Sequence, residues 1–155
     1  MKLFLKIVCI VFITISVASC NKDSSSASVK MGASIDGKSW NSSVRVAVLQ
    51  GNIFTITGTS LTGEIIAITI NGETTGAYSL SLLPPVAGCA ASYKASYTTS
   101  TADIWGSITG KVVLTKVDKT NKLISGTFEF SLALPVISLV TKSITQGQFN
   151  DLQYQ

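Results

Sequence analysis

The chain has 155 residues, with twelve Lys and Arg against eight Asp and Glu, three cysteines and no histidine. Without histidine the usual general base, proton shuttle and commonest metal ligand are missing together, which removes most catalytic and metal-binding arrangements. The basic side chains are isolated lysines and a single arginine, Arg45, with no cluster, so nucleic acid is not an expected partner.

Lys2 and Lys6 open the chain, and a nearly continuous apolar stretch runs from Ile7 to Val17 before the small pair Ala18 and Ser19. A charged start, a short apolar core and a small-residue exit read as a secretory signal over residues 1–19. Counted from Leu3 to Ala18 the stretch is sixteen residues, short of the ~20 that a permanent transmembrane helix needs. Its exit, Val17-Ala18-Ser19-Cys20, resembles the bacterial lipobox, in which the cysteine is lipidated and becomes the first residue of the mature chain. The residue types suit that chemistry: a thiolate is a good nucleophile for alkylation, and small residues give a peptidase access to the backbone. Each buried methylene contributes about 0.8 kcal/mol, and two acyl chains hold stably where one is marginal, so a lipidated Cys20 keeps the protein on a membrane.

After Cys20, "NKDSSSAS" has four serines and no apolar residue larger than alanine. Such a segment buries too little surface to offset its ordering entropy, and residues 20–28 are expected to form a flexible tether. Residue 21 is Asn, not the Asp that retains many lipoproteins at the inner membrane, which favours the outer membrane; the periplasmic and surface-facing sides both stay open. Lys22-Asp23 faintly resembles the charged export tag of surface lipoproteins in Bacteroidota. Processing leaves 136 residues, ten basic against eight acidic side chains, and Cys89 as the one thiol besides Cys20, so no internal disulfide is expected. Cys89 lies among small apolar residues in "VAGCAASY" and reads as a buried, inert thiol without an activating base.

Residues 29–155 read as one β-domain. Runs of β-branched and aromatic residues alternate with polar ones and are punctuated by glycine turns. Asp36-Gly37 is a hairpin turn between "VKMGASI" and "KSW"; "VRVAVLQ" puts Val44, Val46 and Val48 on one face, with Arg45 towards solvent. After Gly51-Asn52, "IFTITGTSL" sets Ile53 and Phe54 on opposite faces, with Thr55 and Thr57 towards water. "EIIAITI" aligns Ile66, Ile68 and Ile70 and is followed by Asn71-Gly72, a second tight-hairpin signal. Pro84-Pro85 marks a crossover or edge. "GKVVLTKV" and "LISGTFEFSLAL" flank "DKTNK", read as a five-residue hairpin loop; the second strand turns Ile124, Gly126, Phe128, Phe130 and Leu132 to one side and Ser125, Thr127, Glu129 and Ser131 to the other. Glycines inside "ITGTS", "WGSITG" and "ISGTF" mark bulges or sharp coiling. With no helix in the pattern, the expected fold is all-β: an antiparallel β-sandwich or flattened up-and-down β-barrel of about nine or ten strands.

"MGASIDGKSW", "ITGTSLTGEIIAITI", "GAYSL", "LISGTFEFSL" and "SITQGQFNDL" together resemble a group of small Bacteroidota lipoproteins classed only as a domain of unknown function. The resemblance rests on Gly37, Lys38 and Trp40 after the first strand, Gly126, Thr127 and Phe128 in a central strand, and Thr145, Gly147 and Phe149 in the closing strand. It spans nearly the whole mature domain and implies an all-β fold; it brings no catalytic residues with it.

The chemistry is mostly an absence. The domain's acids, Asp36, Glu64, Glu73, Asp103, Asp118, Glu129 and Asp151, fall mainly at turns and strand ends, where solvated charge is the simple explanation. No phosphate loop, metal-ligand spacing or nucleophile elbow is present, so no catalytic residue, metal site or cofactor is expected. Trp40, Tyr93, Tyr97 and Trp105 are the candidate ligand-binding residues, as flat rings for stacking on sugars; closing the end of a β core is the simpler role of a Trp beside a strand turn. Tyr78 is a further ring of this kind. "AASYKASYTTSTADIWGS" lacks large aliphatics and reads as an edge or loop surface that meets a partner. The expected function is therefore a non-catalytic, outer-membrane-anchored lipoprotein that binds protein or glycan. The first alternative is a lipocalin-like periplasmic carrier of an apolar small molecule. A polysaccharide hydrolase stays open only if Glu64 or Glu129 shares a cleft with another acid.

Overall fold

The computed structural model describes residues 30–81, 88–96, 103–134 and 141–155. The signal, Cys20, the tether, Pro84-Pro85 and Tyr97 lie outside these residues. Ten strands are formed: β1 Met31–Ile35, β2 Lys38–Asn41, β3 Val44–Gln50, β4 Ile53–Thr59, β5 Ile65–Asn71, β6 Gly76–Ser79, β7 Ala90–Lys94, β8 Ile104–Asp118, β9 Leu123–Ala133 and β10 Thr141–Gln153. There is no helix among the described residues.

The strands make one antiparallel sheet in the order β2-β1-β10-β9-β8-β7-β5-β4-β3, with β6 pairing separately with β8. From β3 to β5 and from β7 to β10 sequence neighbours are spatial neighbours, the up-and-down connectivity that short turns favour, whereas β2 and β3 lie at opposite ends of the order and β1 pairs with β10. The sheet curls into a half-barrel until its far edge meets the chain just beyond β10. There the Leu49 N–H donates to the Gln155 carbonyl at 2.8 Å, and the Gln155 N–H donates to the Ala47 carbonyl at 3.2 Å.

Local chemistry explains most turns. Asp36 and Gly37 both have positive φ, 49° and 82°, as a two-residue hairpin of primed type requires. Between β8 and β9 the loop is one residue shorter than the sequence suggests, because Asp118 pairs with Leu123 at the end of the ladder. Its carboxylate accepts the Thr120 and Asn121 N–H groups at 3.0 and 2.9 Å, which closes the turn. Asn71-Gly72 is a correction: it forms no hairpin. The neighbours of β5 are β4 and β7, and the chain after Gly72 crosses to lay β6 on β8.

The inner face is filled. Phe54, Phe149, Met31, Ile56, Ile66, Ile68, Ile70 and Ile124 are fully buried, each worth about 1.5–3 kcal/mol relative to exposure. Phe128 stacks against Phe130 and Phe149 at centroid distances of 5.8 and 6.3 Å, and Tyr154 meets Phe54 edge-on at 5.0 Å. On β9 the expected alternation holds, with Phe128 and Phe130 buried and Thr127 and Glu129 exposed. On β3 the valine face is the outer one. Val44 and Val46 are 58% and 51% exposed, and Ala47, which bridges edge-to-edge with Tyr154, takes the core position.

One strand glycine has a clear steric reason. A Cβ on Gly58 of β4 would lie 2.6 Å from Met31 Sδ and 2.8 Å from Trp40 Cη2. Gly58 sits in unbroken register between β3 and β5, so its role is not a bulge. It leaves room for two side chains of the β1–β2 hairpin to enter the core.

Candidate functional site

The β1–β2 hairpin is held across one end of the curled sheet. At its tip, Asp36 is fixed to the start of β10 by three contacts: its N–H donates to the Ser143 carbonyl at 2.9 Å, its Oδ1 accepts the Ser143 N–H at 2.8 Å, and its Oδ2 meets Lys142 Nζ at 3.1 Å. The Ser143 N–H, with Lys142 beside it, holds the Asp36 carboxyl below its ordinary value. Lys142 Nζ also lies 5.1 Å from the Trp105 ring centroid and 5.8 Å from that of Tyr93, within cation–π range.

The facing wall is built by the turn between β4 and β5. Glu64 is positioned there by its own N–H donating to Ser60 Oγ at 3.0 Å and by Thr62 Oγ1 donating to its Oε2 at 3.0 Å. Its other oxygen accepts the Tyr93 hydroxyl at 3.0 Å. Burial, and then this carboxylate, push the Tyr93 phenol well above the usual tyrosine range, so it remains a neutral donor.

Between these walls lies a cleft of about 290 Å³, lined by Ile35, Asp36, Lys38, Ser39 and Trp40 from the hairpin, Glu64 from the turn, Tyr93 from β7 and Lys142 from β10. Among the described residues β2 is the last strand of the sheet and pairs only with β1, and Lys38 and Ser39 stand exposed at the rim. A larger concavity of about 500 Å³ lies on the outer face of β8, β9 and β10, where Lys111 pairs with Glu129 at 3.0 Å beside Thr127, Gln146 and Gln148. Among the described residues no group of three or more His, Cys, Asp or Glu side chains is placed to hold a metal ion.

Three sequence candidates meet here, but not as stacking platforms. Trp40, Tyr93 and Trp105 are only 3%, 4% and 9% exposed; their rings pack into the core, and no broad face is open to a sugar. For Ala90–Lys94 the edge assignment is likewise corrected, since β7 is an interior strand between β5 and β8, while residues 97–102 of that stretch lie outside the described residues. Tyr78 is spent locally, its hydroxyl donating to the Thr74 carbonyl at 2.8 Å. Trp40 has one unusual feature: its Nε1 is the one buried side-chain polar atom without a hydrogen-bond partner among the described residues.

Glu64 and Asp36 line the same cleft, so the condition for the hydrolase alternative is met in part. Protonation of a glycosidic oxygen requires a carboxyl with a raised pKa. Asp36 is shifted the other way, and Glu64 is engaged by Tyr93, Thr62 and Ser60. The second acid the sequence singled out, Glu129, lies in the other concavity and is paired with Lys111. Sequence reasoning missed Lys38 and Lys142 as members of the site. Lys142 and Asp36 are separated by 106 positions, and no local pattern links them.

Residues 27–153 match the family described as Domain of unknown function (DUF6252), and the chain belongs to that family. Comparison with curated proteins and with solved structures gave no match.

Proposed function

We propose that this DUF6252 member is a non-catalytic binding lipoprotein of the Bacteroidota type, held at the outer membrane by acyl chains on Cys20. Residues 20–28 serve as its tether, and its β-domain meets a protein or glycan of the envelope or cell surface through its outer side. The observation that carries this reading is the filled interior. Bulky side chains such as Phe54, Phe149, Met31 and Ile56 occupy the space that a carrier of apolar cargo would keep empty. Recognition is then left to the polar concavities outside the core, above all the cleft beneath the β1–β2 hairpin. The lowered Asp36 carboxyl and the hydrogen-bonded Glu64 support a binding role over hydrolysis.

The anchoring half is tested by fractionating cells that express the wild type and Cys20→Ala. The wild type should sediment with outer membranes and incorporate labelled palmitate; Cys20→Ala should do neither. Unaltered processing and membrane retention of Cys20→Ala would remove the basis of the proposal. Protease treatment of intact cells, with a periplasmic protein as control and lysed cells as proof of cleavability, then assigns the domain to the outer or inner side.

A further inference from the structure

We infer that the cleft between the β1–β2 hairpin and the β4–β5 turn is a binding site for a neutral sugar unit of a glycan; this rests on the surface-binding reading above and names its ligand class. Two opposite pairs of charges face one space of about 290 Å³: Asp36 and Glu64 against Lys38 and Lys142. A ligand bearing a full negative charge meets two carboxylates there, and one bearing a positive charge meets two ammonium groups. A hydroxyl suits both signs, because it donates to a carboxylate oxygen while accepting from an ammonium.

Three of these charges are held in place before any ligand arrives. Glu64 is fixed by Tyr93 and Thr62, Asp36 by the Ser143 N–H, and Lys142 by Asp36 and two aromatic rings. Their orientation is set by the fold, so little side-chain freedom is lost on binding. Lys38 and Ser39, exposed at the rim, supply further donors. Because the aromatic rings are buried, recognition comes from hydrogen bonds to hydroxyls and not from stacking on an open ring face. A neutral ligand held in this way should show little dependence on ionic strength.

The test uses the full lipidated chain in a non-glycosidic detergent. Binding of neutral hexaoses of glucose, mannose and xylose is compared with oligogalacturonate and chitosan oligomers, by saturation-transfer NMR and tryptophan fluorescence. At least one neutral oligosaccharide should bind, with an affinity changing less than about twofold between roughly 0.02 and 0.5 M salt. Glu64→Gln, which preserves shape, and Lys38→Ala, on the exposed rim, should each weaken it by about tenfold, with near-UV circular dichroism unchanged. A neutral glycan that binds both variants as tightly as the wild type overturns this site but leaves glycan recognition standing. Preference for the charged oligomers, or strong salt dependence, overturns the neutral assignment. If no sugar binds and an envelope protein is cross-linked through the domain surface, the sugar assignment fails while the surface-binding reading survives; the absence of both removes the two together.

Discussion

The two concavities of this domain hold charge in opposite ways. In the groove over β8–β10, Lys111 and Glu129 form a pair whose side chains are 58% and 54% exposed; such a pair contributes about 0–1 kcal/mol and is weakened by salt. In the cleft beneath the β1–β2 hairpin, Asp36, Glu64 and Lys142 are tied to backbone, hydroxyl and aromatic partners from four separate stretches of chain. The groove is larger, yet the cleft is the better organised. A recess of modest volume whose charges are already oriented is the stronger candidate for recognition than a wider one whose ion pair is solvent-exposed.

The contrast can be broken most severely from beneath. Gly58→Ala pushes a methyl against Met31 and Trp40, and overpacking of this kind should cost about 1–3 kcal/mol, read as a lower thermal midpoint together with loss of the near-UV tryptophan signal. Next comes the hairpin tip. Asp36→Ala removes the acceptor for the Ser143 N–H and the partner of Lys142, and it places a Cβ residue without local hydrogen bonding at positive φ. A loss of about 1 kcal/mol is expected for so exposed a network, and Asp36→Asn should retain part of it. Glu129→Ala, the matching deletion in the groove, should stay within about 0.5 kcal/mol. A larger effect there than at Asp36 would reverse the ranking of the two regions.

Proton titration sharpens the same comparison at still smaller cost to the fold. The Asp36 carboxyl lies below its ordinary value of 3.8 in the folded protein. The unfolded chain therefore takes up its proton first, and the stability contributed above that value is lost as the pH falls through the folded pKa. Urea midpoints should consequently drop below about pH 4, and drop less in Asp36→Asn, although Asp118 and Asp151, lowered by their own turn and lysine partners, contribute in the same direction. At the alkaline end, Tyr93 is shifted up from 10.0. Its contribution is complete below that value and is lost as the pH rises beyond it. Ultraviolet titration should find Tyr93 still neutral above the ordinary value of 10.0. Glu64→Gln should bring that group down; an unchanged titration would separate Tyr93 from the carboxylate wall.

How much of this was legible in the sequence depends on whether a feature is local. The alternation in β9, the aligned isoleucines of β5 and the Asp36-Gly37 turn follow from neighbours within a few positions, and all are seen. Asn71-Gly72 has the composition of a hairpin and is not one, because pairing with β8 outweighs a favourable turn dipeptide. The period of two groups Val44, Val46 and Val48 correctly, but period alone carries no sign. Here Ala47 is the inward residue and the valines face out. For the cleft, Trp40 and Tyr93 were visible as aromatics, but their burial and their meeting with Glu64 and Lys142 arise from strands that closure of the sheet alone brings together.

That closure has a consequence for how the chain is made. The sheet is stitched to itself by the backbone of Gln155, and β1, the first strand described, lies against β10. Neither contact can form until β10 and the residues after it are available, so in a chain emerging amino terminus first β1 waits on β10 for its pairing. Long-range pairing of this kind slows folding.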